Sequence, residues 1–452
     1  MKALFGTDGI RGEAGQFPLD HSTVTAIGFS LASHLAATGV APKIITGRDT
    51  RESGASIEEA LIDGASRAGA ECLSAGVITT PGVAFVTRKE QASAGVVISA
   101  SHNPYHDNGI KIFAPSGRKM DDAVERQIEA DVFRKIEVPA ALNIRSQSSA
   151  AAEEQLREEY LSFLAGEIGA GLNLKGLTLV VDCANGASSA LAPTLFERLG
   201  ATVIDINATP DGRNINRDCG SLHIDSLRDK VLKERADLGV AFDGDADRSL
   251  FVDGEGNFVD GDATLLALAT HLQSHKRLKG DVVVATVMSN IGLEIALRSA
   301  GIRLVRTDVG DKYVLEELLR LGASLGGEQS GHIILPDLSL AGDGMITTLC
   351  LLRALSESRK TLAEMTSGFK RYPQILLNVR VREKVPFSDL APVQAEVKEV
   401  EELLSQKGRL LLRYSGTEPL ARVMIEGEDQ RQIDEYARRI AKAIEREIGA
   451  GS

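Results

Sequence analysis

Three carboxylates stand at alternate positions in Asp243-Gly244-Asp245-Ala246-Asp247, directly after the apolar run Leu238-Gly239-Val240-Ala241-Phe242. Placing three like charges together costs free energy unless a cation or a shell of donors answers them. Gly244 and Ala246 are small, so the loop can curl and aim all three inward, and Arg248 follows at once. An all-oxygen set of this kind suits a hard cation, Mg²⁺ first, and leaves coordination positions for a phosphate oxygen. An EF-hand is excluded, because its sixth and twelfth positions need Gly and Glu and hold Arg248 and Gly254.

A second group is Ala100-Ser101-His102-Asn103-Pro104, a small polar stretch after the apolar run Gly95 to Ile98. Pro104 biases Asn103 away from helix. Adjacent side chains on an extended segment point apart, so Ser101 and His102 make no catalytic triad. From these residues alone Ser101 reads equally as a turn serine or as a phosphoryl carrier. Phosphorylated, it would be a dianion that the aspartates and Mg²⁺ could hold. Lys111 closes Asn108-Gly109-Ile110-Lys111 and, taken alone, reads as a surface lysine.

A third group, Arg413-x-Ser415-Gly416-Thr417-x-Pro419-x-x-Arg422, combines hydroxyls and a tight turn with two flanking guanidinium groups. That is the composition of an anion nest with bidentate arginines, and no helix-opening Gly-Lys-Ser/Thr makes it a nucleotide loop. In Glu328-x-Ser330-Gly331-His332 a carboxylate and a hydroxyl could grip vicinal sugar hydroxyls; a plain turn reads equally well. Phe5 to Gly12 (FGTDGIRG) puts Arg11 on a glycine-rich turn, and Arg48, Arg51 and Lys312 sit at strand ends. A carrier, a metal site, a separate phosphate clamp and a hydroxyl grip together imply a substrate that keeps one phosphate while another moves. A metal-dependent phosphatase with Asp243 as nucleophile would leave the clamp unused, and a non-catalytic sugar-phosphate sensor would not need the serine and all three aspartates.

These groups need elements to carry them. Strand signals at Lys43 to Thr46, Gly95 to Ile98, Leu177 to Val181, Leu238 to Phe242, Asp281 to Ala285 and Ile302 to Val305 alternate with helical stretches such as Ser56 to Ala70 and Ala151 to Leu164. Thr79 to Gly82 reads as a turn. Such alternation indicates βαβ units. The last part differs: strands at Gln374 to Val381, Arg409 to Arg413 and Arg422 to Glu426, with helices at Lys398 to Leu404 and Ile433 to Ile448. A small-polar stretch at 145–149 reads as a linker. The expected organisation is three similar α/β domains with mixed sheets (1–150, 151–255, 256–368) and a C-terminal α+β domain (369–452).

The 452 residues are too many for one core, and 43% hydrophobic with 25% charged residues is ordinary for a globular protein. No apolar run of membrane-spanning length and no signal-peptide region occur, so a cytoplasmic protein is expected. Cys72, Cys183, Cys219 and Cys350 form no C-x-x-C pair, which argues against zinc or redox use. The net charge of −12 argues against nucleic acid, so each short basic cluster carries more weight.

The chain resembles the α-D-phosphohexomutase superfamily along its whole length. The resemblance rests on FGTDGIRG (Phe5 to Gly12), ISASHNP (Ile98 to Pro104), DNGIK (Asp107 to Lys111), VDCANGA (Val181 to Ala187), DGDADR (Asp243 to Arg248), TVMSN (Thr286 to Asn290), GEQSGH (Gly327 to His332), RYSGTEP (Arg413 to Pro419) and RVM (Arg422 to Met424). FGTDGIRG and GEQSGH are similar to the glucosamine-phosphate branch more than to the phosphomannomutase and phosphoglucomutase branches. Leu222 stands where that branch's Gly-Ser-Thr-His would place threonine. The resemblance implies four domains around a central cleft and interconversion of glucosamine 6-phosphate and glucosamine 1-phosphate through a 1,6-bisphosphate, feeding UDP-N-acetylglucosamine synthesis. It implies Ser101 as phosphoserine; Asp243, Asp245 and Asp247 with Ser101 as the Mg²⁺ site; and Arg11, Lys111 and His332 at the reacting end. Arg248, Glu328 and Ser330 would meet the sugar, with Arg413, Ser415, Gly416, Thr417 and Arg422 on its far phosphate. Glucosamine or glucose 1,6-bisphosphate is the candidate activator and a homodimer the candidate assembly, with neither nucleic acid nor membrane as a partner.

Overall fold

Apolar, β-branched runs ending in small polar turns become strands whose C-terminal ends open onto loops. In chain order the first elements are β1 (Ile10–Glu13), α1 (His21–Ala36), β2 (Lys43–Arg48), α2 (Gly54–Arg67), β3 (Glu71–Val77), α3 (Thr80–Lys89), β4 (Ala94–Ile98), β5 (Asp107–Phe113) and α4 (Asp122–Phe133). The structure is a computed structural model describing residues 4–6, 8–37, 41–140, 149–405, 407–415 and 418–450. The first five strands form a mixed sheet in the order β1-β5-β4-β2-β3, with β2 parallel to β3 and β4, and β5 antiparallel to β4 and β1. All five residues of β4 are buried, as its unbroken apolar run requires.

Two local readings change. Thr79 to Gly82 is a helix start: the Thr79 hydroxyl caps α3 by accepting the Gly82 N–H at 3.1 Å. Pro81 sits in the first turn, where its missing N–H costs little. Arg11 stands in strand β1, paired with Gly109, and not on a turn: Asp107-Asn108-Gly109 opens strand β5 beside it, because Ile110 and Ile112 enter the core with Ile98 and Val96. Strand alternation then turns Lys111 to the other face, opposite Val97.

The chain continues through α5 (Ala150–Phe163), β6 (Thr178–Asp182), α6 (Ala192–Arg198), β7 (Thr202–Ile206), α7 (Asp225–Glu234), β8 (Leu238–Phe242), β9 (Ser249–Asp253) and β10 (Phe258–Val259). Their sheet runs β10-β9-β8-β6-β7, parallel at β6, β7 and β8 and antiparallel at β9 and β10. Of the expected linker at 145–149, only Ser149 is among the described residues; its hydroxyl caps α5. Next come α8 (Gly261–Ser274), β11 (Val282–Thr286), α9 (Ile291–Ser299), β12 (Arg303–Thr307), α10 (Asp311–Leu321), β13 (Gly326–Gly327), β14 (Ile333–Ile334), α11 (Gly344–Ser358) and α12 (Leu362–Thr366). The third sheet is β12-β11-β13-β14, antiparallel only at its last pair.

The remainder is β15 (Gln374–Arg380), α13 (Ala391–Leu404), β16 (Arg409–Tyr414), β17 (Leu420–Glu426) and α14 (Gln430–Ile448), with an antiparallel sheet β15-β17-β16. Helix α13 starts seven residues before the sequence reading, at Ala391 against Lys398. Pro392 is accepted in its first turn, and Val393 and Val400 join the same buried stripe as Leu404. The fold is thus three α/β domains with mixed sheets and one α+β domain. By internal packing the chain divides into a unit of Met1–Met288 with Ile302–Ser367 and a unit of Ser289–Gly301 with Gly368–Ser452. Within the second unit, Asn290 at the start of α9 donates to the Tyr372 carbonyl and to Glu426, each at 3.0 Å. All four cysteines are free. No helix among the described residues is long and apolar enough to cross a membrane.

Asp343 ties α11 to the loop after β8. Its Oδ1 accepts from the Met345 and Ile346 N–H groups, its Oδ2 accepts from the Tyr160 hydroxyl at 2.6 Å, and Gly344 N–H donates to the Ala246 carbonyl. Burial lifts the Asp343 carboxyl to about 6, against the hydrogen bonds from Tyr160 and the α11 backbone. A folded value above the unfolded one means stability that is full below the ordinary carboxylate range and lost as pH rises through about 6. Asp343→Asn keeps a neutral cap, so it should gain about 1–3 kcal/mol relative to wild type between pH 4.5 and pH 7.5. Urea midpoints at the two pH values check this; an equal difference at both rejects it.

Candidate active site

Ser101 lies just past the end of β4, 1% exposed, with φ at +51°. A non-glycine residue in that region is held there by its surroundings. The Ser99 hydroxyl accepts the Ser101 N–H at 2.9 Å. The Ser101 carbonyl accepts from Arg51 at 3.2 Å and Asn216 at 2.8 Å, and the same two side chains donate to the Asn103 carbonyl. Arg51 is itself fixed by buried Asp49. The Ser101 hydroxyl is thereby aimed at the loop after β8, where it donates to Asp243 Oδ2 at 2.6 Å.

The two loops touch through backbone. A Cβ on Gly244 would stand 2.5 Å from the Ser101 carbonyl oxygen and 2.9 Å from Asn216 Nδ2. Only glycine permits that approach. Gly244→Ala should therefore fold but displace the serine from the carboxylates, lowering kcat by about 100-fold. Turnover measured beside a thermal melt tests this, and a folded variant with wild-type kcat would remove the close approach from the account.

Asp243, Asp245 and Asp247 are all buried, with ligand-capable oxygens of the three within 4.8 Å of one another. Lys111 is 2% exposed, which corrects its reading as a surface residue. Its ammonium lies 2.9 Å from Asp245, 3.3 Å from Asp247 and 3.4 Å from Asp8. Burial opposes its charge, but Asp245, Asp8 and Asp247 outweigh that and hold it far above the ordinary lysine value. Thr80 donates to Asp245 at 2.6 Å. Asp243 goes the other way: burial, then repulsion from Asp247 and Asp245, pushes it well up. Asp247 is held well below the usual range by Lys111 and His332, despite burial. Asp245 Oδ1 and Asp247 Oδ1 are buried with no hydrogen-bond partner among the described residues. Buried carboxylate oxygens without a hydrogen-bond donor, Asp245 Oδ1 above all, beside a carboxylate that resists ionising fit a hard divalent cation.

Around this core stand the cations. Arg11 donates to the Ala100 carbonyl and to Asp8, and Lys119 bridges Asp8 at 2.6 Å and Asp311 at 2.8 Å. Arg248 lies 3.8 Å from Asp247 and 4.0 Å from Asp243, and donates to His102 Nδ1 at 3.2 Å. Burial, with Arg248 and Arg11, lowers His102 to about 4, so it is neutral. His332 sits between Asp247 at 3.6 Å and Asp311 at 3.7 Å. Burial opposes its charge, yet Asp247, Asp311 and Glu328 raise it to about 9, so it is an imidazolium at neutral pH. Glu328 and Ser330 share the turn between β13 and β14, 3.3 Å apart, and Glu328 accepts the Gly310 N–H at 3.1 Å. A cavity of about 220 Å³ opens beside Lys111, Asp247 and His332, rimmed by Arg118, Lys119 and Lys312.

In the second unit, Ser415 is 3% exposed at the end of β16, and its hydroxyl accepts from Arg422 at 3.4 Å. Arg422 Nε is buried without a hydrogen-bond partner among the described residues. Arg413 faces Arg422 across the β16–β17 pair. Lys384 donates to the Ser415 carbonyl at 2.6 Å. Gly416 and Thr417 lie outside the described residues.

Ser101, the three aspartates, Lys111, Arg11, Arg248, Glu328, Ser330 and His332 thus belong to the first unit, and Ser415, Arg413 and Arg422 to the second. Of the strand-end cations, Arg51 reaches the Ser101 loop. Arg48 instead pairs with Glu58 at 2.9 Å and Lys312 with Asp122 at 2.6 Å. Asp8, Thr80, Lys119, Asn216, Asp311 and Lys384 were not singled out from sequence. Asp8 sat in plain view inside FGTDGIRG, but its partners come from distant strands.

The four models of the phosphoglucomutase/phosphomannomutase family match in order: alpha/beta/alpha domain I at residues 2–138, domain II at 158–256, domain III at 260–372 and the C-terminal domain at 376–443. A phosphoglucosamine mutase of Solibacter usitatus (strain Ellin6076) is 51% identical over 448 residues, covering 99% of both chains. The crystal structure of a phosphoglucomutase/phosphomannomutase family protein from Burkholderia thailandensis has a TM-score of 0.80 at 22% identity, covering 98% of this chain and 97% of that one. N-acetylphosphoglucosamine mutase from Aspergillus fumigatus, solved with GlcNAc-6P and magnesium, has a TM-score of 0.65 at 18% identity, covering 98% and 95%.

Proposed function

The chain belongs to the phosphoglucomutase/phosphomannomutase family, and we propose that it interconverts glucosamine 6-phosphate and glucosamine 1-phosphate, the latter feeding UDP-N-acetylglucosamine synthesis. It is an enzyme, an intramolecular phosphotransferase. The observation that carries the reading is the Ser101 hydroxyl 2.6 Å from Asp243, at the head of a buried carboxylate triplet answered by buried Lys111.

Phosphorylated Ser101 gives its phosphoryl to the free hydroxyl of the sugar phosphate. The Ser101 Oγ–P bond breaks, a bond from phosphorus to the sugar oxygen forms, and glucosamine 1,6-bisphosphate results. The hydroxyl's proton leaves to a neighbouring base. After the intermediate turns end for end, its other phosphate returns to Ser101 and the product departs. Arg11, Lys111 and Arg248 spread the charge of the moving phosphoryl. The imidazolium of His332 is a proton donor at the reacting end, Glu328 and Ser330 hold ring hydroxyls, and Ser415, Arg413 and Arg422, with Gly416 and Thr417, take the phosphate that stays. Asp243, Asp245 and Asp247, with a phosphoserine oxygen, would hold Mg²⁺. When bound, it neutralises phosphate charge as a Lewis acid. Glucosamine or glucose 1,6-bisphosphate acts as activator by rephosphorylating a Ser101 that has lost its phosphate. We place the enzyme in the cytoplasm, acting on a hexosamine phosphate, with its net charge of −12 supporting no role for nucleic acid.

Formation of 1-phosphate from glucosamine, glucose and mannose 6-phosphates, measured side by side, tests the sugar. The expected kcat/KM for glucosamine exceeds the others by at least about 10-fold. A preference for glucose or mannose would move the chain to another branch of the same family.

A further inference from the structure

Away from the reacting centre, α8 and α11 pack together within the first unit. Where they end, His271, His275 and Glu357 converge. His271 Nε2 lies 3.2 Å and His275 Nε2 3.6 Å from the same oxygen, Glu357 Oε2. Charge-assisted hydrogen bonds are shorter, about 2.7–2.9 Å. A tetrahedron with metal–ligand bonds of about 2.0–2.1 Å has edges of about 3.3 Å, between the two distances observed.

Hydrogen-bond chemistry fixes which ring nitrogens are free. His275 Nδ1 stands 3.0 Å from the His271 carbonyl, which can only accept, so in the neutral ring Nδ1 carries the proton and Nε2 keeps its lone pair. Arg277 Nη2 stands 3.4 Å from His271 Nε2, and a guanidinium can only donate, so this Nε2 also keeps its lone pair. Both Nε2 atoms, each with its lone pair, lie within 3.6 Å of Glu357 Oε2. At His275 this is the arrangement in which a remote Nδ1–H bond orients a metal-binding imidazole. His271 is buried on the α8 face that meets α11. The C-terminal ends of both helices add negative potential at the same place. Arg277, half exposed, meets that potential 3.5 Å from Glu357 Oε2, and Arg353 lies 3.9 Å from Glu357 Oε1, so a cation bound here has to displace Arg277.

We propose that His271, His275 and Glu357 form a second metal site, separate from the aspartate triplet, for a borderline transition-metal cation, Zn²⁺ by preference. Two imidazoles and one carboxylate leave the fourth position to water. The opposite ends of the two helices abut the reacting centre: Gly261 N–H donates to the Gln329 carbonyl and Gly344 N–H to that of Ala246. The ion staples the far ends of the two helices that support the sugar turn and the metal loop.

The test uses the full chain, stripped with chelator and resupplied with saturating Mg²⁺ so that the all-oxygen triplet is filled. Zn²⁺ is then followed by calorimetry and Co²⁺ by visible absorption. One equivalent of Zn²⁺ should bind and raise the melting temperature. Co²⁺ should give the intense bands of a four-coordinate, nitrogen-containing site, where an all-oxygen octahedron gives weak ones. His275→Ala and Glu357→Gln, at the surface and outside the reacting centre, should keep wild-type turnover in Mg²⁺ while each weakens Zn²⁺ binding by at least about 10-fold. Undiminished Zn²⁺ binding in both variants, weak oxygen-type Co²⁺ bands, or no Zn²⁺ binding by the wild type would each overturn the site.

Discussion

Ser101→Ala will abolish mutase turnover, by at least about 1,000-fold in kcat, while leaving the fold and the binding of sugar phosphate intact. The fold survives because the serine side chain contributes one hydroxyl hydrogen bond, to Asp243, plus a longer contact to His102 Nδ1 at 3.2 Å. The loop's shape is set instead by its backbone, through Arg51, Asn216 and Ser99. Turnover does not survive because the hydroxyl of Thr80, which also reaches the triplet, is already committed to Asp245. Three measurements separate a carrier from its rivals. Intact mass of the wild type after incubation with a hexose 1,6-bisphosphate should show one added phosphate, absent in the variant. Isomerisation should vanish. Release of inorganic phosphate, which a phosphatase using Asp243 as nucleophile would retain, should stay at background in both proteins. Persistent phosphate release in Ser101→Ala would hand the chemistry to the aspartate.

What the sequence disclosed and what it withheld divide along a physical line. Local patterns announced themselves. Leu238 to Phe242 is a strand to the residue, and the triplet after it is buried as its cost in repulsion demanded. Glu328 to His332 is the turn its glycines suggested. Readings that depended on a partner far along the chain failed or were never made. Lys111 looked like a surface cation because nothing near it in sequence calls for a buried charge; the carboxylates that justify its burial are more than a hundred residues away on either side. Asn216 has no motif of its own and matters only because its loop meets Ser101. The helix at Thr80 was hidden by Pro81, which signals a turn unless the capping hydroxyl before it is weighed.

Lys111→Met should be the most destabilising single change at the site and should also silence it. The side chain is 2% exposed, and its ammonium stands within 3.4 Å of Asp8, Asp245 and Asp247. Methionine fits the length but leaves buried carboxylates unanswered, a loss of about 3–5 kcal/mol in metal-free protein. Asp8 suffers least, because Lys119 and Arg11 still hold it. Asp245 suffers most, because among the described residues only the Thr80 hydroxyl is then left to donate to its carboxylate. The penalty is therefore electrostatic, and it makes two predictions that lost packing would not. Added Mg²⁺ should restore part of the melting temperature of Lys111→Met and do so more than in wild type, since the cation answers the same oxygens. Asp245→Asn placed in the same chain should recover part of the remaining stability, giving a coupling of about 1–3 kcal/mol in the double-mutant cycle. Neither rescue should return turnover, because a cation at the triplet cannot stand where the ammonium met the moving phosphoryl; kcat should stay down by about 100-fold or more. A variant that melts like wild type in chelator would mean that the carboxylates simply take up protons, and the buried ammonium would then serve the chemistry alone.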